Sequence, residues 1–290
     1  MNNRRIFLQQ STILSAGLLT QPQSFFKMNQ PVGLQLYTLR DAIQKDLGAI
    51  IKKVAAAGYK ELEMYGLSAD NKFFDLTVKE CSRVLKENNM KSPSGHYMPE
   101  DFLFNNGNGD DVKNFCDVAH TLGSKYIIIP WMKEERRKTI DQYKSLAERI
   151  NKAGEICKKA GVQLAYHNHD FEFSDMNGNH GYDVLLNNTD KDLVKMEMDI
   201  YWVVRAGYDP IKLFKEHPGR FHLWHVKDMN KTDKTQNTEV GNGSIDFAKI
   251  FAKAKLAGVK HYIVEQENNY QPDFYGSIKK SNSYVKKLLA

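Results

Sequence analysis

In four stretches of this 290-residue chain, an apolar run ends in side chains able to bind a metal or move a proton. Val162-Gln163-Leu164-Ala165-Tyr166 runs into His167-Asn168-His169-Asp170-Phe171-Glu172. Val194 to Asp199, Phe221 to Asp228 (with His225 and Lys227) and His261 to Glu267 (with Glu265) repeat the pattern. Two imidazoles, His167 and His225, and two carboxylates, Asp199 and Glu265, would together offer one ion a mixed nitrogen and oxygen shell. That shell suits divalent Mn, Co, Mg, Fe or Zn better than Ca. Each residue alone has a plainer reading: a histidine at a strand end is commonly a hydrogen-bonded structural group, and Asp199 can cap a helix. Four successive strand ends of this kind point to a shared cation.

A cation chelated by a substrate's oxygens polarises a carbonyl and eases removal of the neighbouring proton. Returning the proton gives isomerisation or epimerisation; expelling a β-substituent gives dehydration or glycoside elimination. The residues leave both outcomes open. Lys227 follows His225 by two, so strand alternation sends it to the same side, where its ammonium can neutralise an enolate oxygen. Asp228 is placed against the substrate or as the partner of Lys227. His169 is a candidate acid for a departing hydroxyl, or an orienting group for Asp170 or His167. Glu63, Glu172 and Glu267 are further candidates for the base, the first two also for substrate contact. His96, Trp131, Trp202 and Tyr37 are placed along the pocket, the aromatics stacking on apolar faces of the substrate, with core or rim packing as the alternative.

These residues need a scaffold that gathers strand ends. Strands are expected at Val32 to Tyr37, Lys60 to Tyr65, Lys91 to Tyr97, Lys125 to Pro130, Val162 onward, Val194 to Ile200, Phe221 to Lys227 and Tyr262 to Gln266. Between them, amphipathic helices are expected at 41–57, 77–89, 111–122, 139–160, 182–187, 210–216 and 247–256, with a closing helix over 275–289. Gly58, Gly161 and Gly258 supply left-handed stops, and Pro210 stands at a helix first turn. The β-branched run Tyr126-Ile127-Ile128-Ile129 marks a strand buried on both faces. Eight strand-helix units fit a single-domain (β/α)8 barrel over residues 31–290, which puts chemistry at the carboxyl ends of the strands. A doubly wound open sheet fits less well, since Gly33-Leu34-Gln35 stands where a Gly-x-Gly-x-x-Gly loop would follow the first strand.

A formal charge of +6 and a pI near 8.9 arise from lysines scattered among acids. No basic block suggests a nucleic-acid partner. Cys81, Cys116 and Cys157 are widely spaced in helical patterns and read as buried thiols. Residues 1–30 read as a leader and linker: Asn3-Arg4-Arg5-Ile6-Phe7-Leu8-Gln9 and the run Ser11 to Leu19 resemble a twin-arginine export signal, which implies a periplasmic enzyme. That run is too short and polar for a stable membrane span. Homo-oligomerisation is compatible with the composition.

From Pro31 to its end the chain resembles the xylose isomerase-like TIM barrels of the sugar phosphate isomerase/epimerase group, which includes ketose 3-epimerases, inosose dehydratase and AP endonucleases. The resemblance rests on Gly33 to Asp41 (Gly-Leu-Gln-Leu-Tyr-Thr-Leu-Arg-Asp), Tyr166 to Glu172, Met198-Asp199, His225-Val226-Lys227-Asp228 and Val264-Glu265. It implies metal ligands at the ends of strands five to eight, His167, Asp199, His225 and Glu265, with Glu265 doubling as the proton-abstracting base. The epimerases carry Glu where His167 stands, so their two-carboxylate exchange is not implied here. Where epimerases and AP endonucleases read Asp-x-x-His, this chain reads Asp199-Ile200-Tyr201-Trp202, which disfavours DNA repair. A small-molecule carbohydrate is the expected partner. The reading from another class is a carbohydrate-binding barrel without turnover.

Overall fold

The computed structural model describes residues 30–43 and 46–290, so the leader-like segment lies outside the described residues. Eight parallel strands form the centre: β1 (Val32–Gln35), β2 (Glu61–Glu63), β3 (Ser94–His96), β4 (Tyr126–Ile129), β5 (Gln163–His167), β6 (Val194–Asp199), β7 (Leu223–Val226) and β8 (His261–Val264). Hydrogen-bonded neighbours run β2-β1-β8-β7-β6-β5-β4-β3. The ring closes between β2 and β3, where Leu62 N–H donates to Lys91 O at 2.9 Å and His96 N–H to Met64 O at 2.7 Å. This is the expected (β/α)8 barrel.

Alternation along each strand sorts the core into two parts. Outward side chains such as Leu34, Leu164, Met196, Met198, Trp224 and Val264 pack beneath the helices in one continuous cluster. Tyr126, Ile128, Ala165, Leu223 and Ile263 form a separate apolar plug inside the barrel. Two residues beyond Ala165, Leu223 and Ile263 come His167, His225 and Glu265, so the plug is the floor on which the polar groups stand.

Helix starts follow the capping chemistry. Thr77 with Glu80, and Thr139 with Gln142, form reciprocal capping boxes ahead of Val78–Glu87 and Ile140–Lys159. The first helix departs from expectation: β1 turns into a short 3-10 segment, Leu36–Leu39, and the helix begins only at Leu47, where Asp46 Oδ1 accepts Ala49 N–H at 2.7 Å. Two small hairpins, Lys72–Phe73 with Leu76–Thr77 and Asp228–Met229 with Asn237–Thr238, and the helices Glu100–Phe104 and Ile200–Arg205 were not expected. They are too short to show a periodicity. The three cysteines are buried and free. Among the described residues, no helix is long and apolar enough to cross a membrane.

Candidate active site

Three imidazoles converge on one carboxylate oxygen near the barrel axis. His96 Nε2 lies 2.7 Å, His167 Nδ1 3.1 Å and His225 Nε2 3.2 Å from Glu197 Oε2. They come from β3, β5, β7 and β6, and the register sets His167 directly beside Glu197. Glu63 closes the group from β2, its Oε1 2.8 Å from His225 Nε2 and 3.0 Å from His96 Nε2. Gln35 Nε2 donates to Glu63 at 2.6 Å and Ser94 Oγ donates at 2.5 Å, so this carboxylate is held from four sides. Burial opposes its ionisation, but His96 and His225 outweigh burial and hold Glu63 well below the usual carboxylate range. Glu197 moves the other way, pushed up to about 7 by burial and by the neighbouring Glu63 charge. His167 is kept neutral by burial and by His225 beside it.

The second corner lies nearer the mouth and shares His225. Asp199 faces His225 in the strand register, and Asp199, His225 and Glu265 offer donor atoms within 4.8 Å of one another. His225 Nδ1 is 3.1 Å from Glu265 Oε2. Lys227, fully buried, places Nζ 3.1 Å from Glu265 Oε2 and 3.4 Å from Asp199 Oδ2, and donates to Glu267. A buried ammonium needs such partners, and burial is overcome here by Glu265, Glu267 and Asp199, which keep Lys227 charged. Burial likewise opposes ionisation of Glu265, but Lys227 and His225 hold it low. Asp199 is pushed up to about 6 by burial and Glu265, against the pull of Lys227. Its Oδ1 caps the following helix at Trp202 N–H, 3.2 Å, while Oδ2 is buried with no hydrogen-bond partner among the described residues. Asn168 fixes the strand end by accepting Asp199 N–H at 3.2 Å.

These groups open into a cavity of about 560 Å³ lined by Tyr37, Tyr65, His96, Tyr97, Trp131, His167, His169, Glu265 and Glu267, among others. Trp131, 44% exposed, and Tyr37, 39% exposed, form its outer wall. Of the four residues expected to share one ion, the structure brings Asp199, His225 and Glu265 to one corner, while His167 turns to Glu197. Glu197 itself was missed: its signal was Lys195-x-Glu197-x-Asp199, a polar face alternating with Val194, Met196 and Met198.

Several expectations need correction. Asp228 neither pairs with Lys227 nor reaches the cavity: its carboxylate accepts N–H from Met229, Gly241, Gly243 and Ile245 at 2.8, 2.8, 2.9 and 3.3 Å. It organises the loop after β7, and a side chain at Gly243 would collide with it. Glu172 is also off the cavity, accepting Tyr166 O–H at 2.7 Å and His169 N–H at 2.8 Å. Glu63 is buried behind His96 and His225 and is not free to meet a substrate. Trp202 packs behind His169, ring centroids 5.5 Å apart, with Lys227 Nζ 5.0 Å from its own ring centroid. His169 does line the cavity, but burial and Lys227 depress it to about 3, so it presents a neutral imidazole rather than an imidazolium.

A parallel barrel with a polar cluster at the carboxyl ends of its strands is the architecture of a TIM-barrel enzyme. Residues 51–286 match the xylose isomerase-like TIM barrel family, and the chain belongs to it. It is 25% identical over 284 residues to the inosose dehydratase of Clostridium perfringens, spanning 85% of this chain and 89% of that one. With the inosose dehydratase of Geobacillus kaustophilus it shares 23% identity over 241 residues, 73% of this chain and 71% of the other. A solved sugar phosphate isomerase/epimerase from Parabacteroides distasonis superposes with a TM-score of 0.78 at 30% identity, covering 89% of this chain and 93% of that one. The protein is a carbohydrate-modifying enzyme.

Proposed function

We propose that this enzyme removes a proton next to the carbonyl of a polyhydroxylated ketone, a cyclitol or keto-sugar, and expels a β-hydroxyl as water. The carrying observation is the Lys227–Glu265–Glu267 group: two carboxylates that line the cavity, with a buried ammonium standing behind them. Of the four carboxylates considered as base, Glu63 and Glu172 are buried away from the cavity. Glu265 is almost wholly buried and bound by both Lys227 and His225, whereas Glu267 keeps 28% of its side chain exposed at the cavity, which makes Glu267 the proton acceptor. Lys227, behind the cavity wall, offsets the charge that develops on the enolate, and the proton taken up by Glu267 is passed to the departing hydroxyl, which leaves as water. Two dehydratase relatives and the absence of a paired carboxylate at the His167 position favour elimination over proton return.

Asp199, His225 and Glu265, with His167 nearby, would hold a divalent cation at the mouth; the mixed donors fit one, as does Asp199 Oδ2, which makes no hydrogen bond among the described residues and has Lys227 Nζ at 3.4 Å beside it. Bound there, it would polarise the substrate carbonyl. The residues from Asn3 to Leu19 support an exported enzyme. A screen of inososes and 3-keto-glycosides read by product mass tests the reaction. Loss of water is expected in the wild type, with turnover lower by about 10²- to 10⁴-fold in Glu267→Gln. A product of unchanged mass, or full turnover in that variant, would overturn the reading.

A further inference from the structure

We propose that His96, His167, Glu197 and His225 hold a divalent transition metal deeper in the barrel than the Asp199–Glu265 corner, in place of a cation at that corner, since both would draw on His225. Three ring nitrogens on three strands point at one atom, Glu197 Oε2, at 2.7, 3.1 and 3.2 Å. As hydrogen bonds, the contacts of His96 and His167 would crowd onto that oxygen, with His225 Nε2, which is 2.8 Å from Glu63 Oε1, close by as a third group. Yet Glu197 Oε1, on the same fully buried carboxylate, has no hydrogen-bond partner among the described residues. A carboxylate has four lone-pair directions over two oxygens, so donors that needed only an acceptor would be shared between them. Nitrogens aimed at a common point are instead what lone pairs around a cation require. The four donor atoms lie within 4.8 Å of one another.

Three imidazoles and one carboxylate make a nitrogen-rich set that favours Zn, Co, Ni or Cu over Mg or Ca, and four donors match the tetrahedral habit of zinc. Outer partners are in place. With Nε2 of His225 on the ion, its Nδ1–H faces Glu265 Oε2 at 3.1 Å, a carboxylate behind a ligating histidine. Glu63, anchored by Gln35 and Ser94, stands beside His96 and His225 and supplies further negative charge. The mouth corner differs in kind: it has one imidazole, mostly oxygen donors, and Lys227 already in place as a cation.

Zinc K-edge X-ray absorption on the full-length protein carrying one equivalent of Zn²⁺ counts the imidazole ligands without any substitution. Three are expected; one or two would put the ion at the mouth and overturn the proposal. Equilibrium dialysis with Co²⁺ gives a second measure. Glu197→Gln and His96→Gln should each weaken binding by about 100-fold, with Asp199→Asn close to wild type. The reverse pattern, or no stoichiometric binding by the wild type, would refute the deep site and leave the cluster a self-neutralised hydrogen-bond network. Circular dichroism checks each variant; if Glu197→Gln does not fold, His96→Gln and the wild-type ligand count decide. The result is separable from the elimination chemistry, whose failure shows in Glu267→Gln turnover.

Discussion

At the amino-terminal end of the barrel, His261 Nδ1 lies 2.9 Å from Glu61 Oε2, and Tyr126 O–H lies 3.0 Å from His222 Nδ1. At the carboxyl end, His96, His167 and His225 meet Glu197 and Glu63, with Lys227 and three more carboxylates above them. The residue types are nearly the same. At the amino-terminal end each imidazole has a single hydrogen-bond partner, the two pairs meet only where the Tyr126 ring packs edge-on against His261 at 5.7 Å, and His261 keeps access to solvent; burial and Lys195 depress His222 to about 4. At the other end most of the groups are buried and all share partners, so removing any one leaves others uncompensated. Histidines beside acids therefore do not define this site; the sharing of partners among several buried groups does.

Lys227→Met should separate the two ends most sharply. It would leave Asp199, Glu265 and Glu267 facing one another without their ammonium, costing about 3 to 5 kcal/mol of stability by analogy with broken buried pairs, together with turnover. Urea unfolding and an assay of the folded fraction would check both. A near-wild-type variant would mean that another cation supplies the charge.

The loop that carries His169 sharpens the contrast through pH. Burial pushes Glu172 up to about 7 from an ordinary 4.5, despite the bond from Tyr166. The native state then keeps a proton that the unfolded chain releases, so stability falls as pH rises from 4.5 to about 7. The full effect is on the order of 3 kcal/mol. Glu172→Gln removes that titration, and its stability relative to wild type should rise across this window. Parallel pH profiles for the two proteins would contradict the assignment.

The smallest effect belongs to the other end. His261→Gln breaks one partly exposed pair and should cost at most about 1 kcal/mol, with turnover unchanged. A large loss of activity would show that the two ends are coupled through the apolar plug of Ile128, Ala165, Leu223 and Ile263.

Much of this was legible in the chain. Apolar runs separated by amphipathic helices specify the barrel because alternating periods of two and 3.6 have few other ways to bury their apolar faces. The strand ends at His167, Asp199, His225 and Glu265 were readable because each follows its own hydrophobic run. Asp228 and Glu172 were misplaced, since a carboxylate beside a site looks the same in sequence whether it meets substrate or gathers backbone N–H groups. Glu197 was hidden inside β6, and His96 gave no hint that its partner would be there. What the sequence determined by itself was which side chains face inward, since strand alternation is a local property. Only the tertiary structure decided their level along the axis, because the stagger between neighbouring strands sets His167 beside Glu197 and Asp199 beside His225.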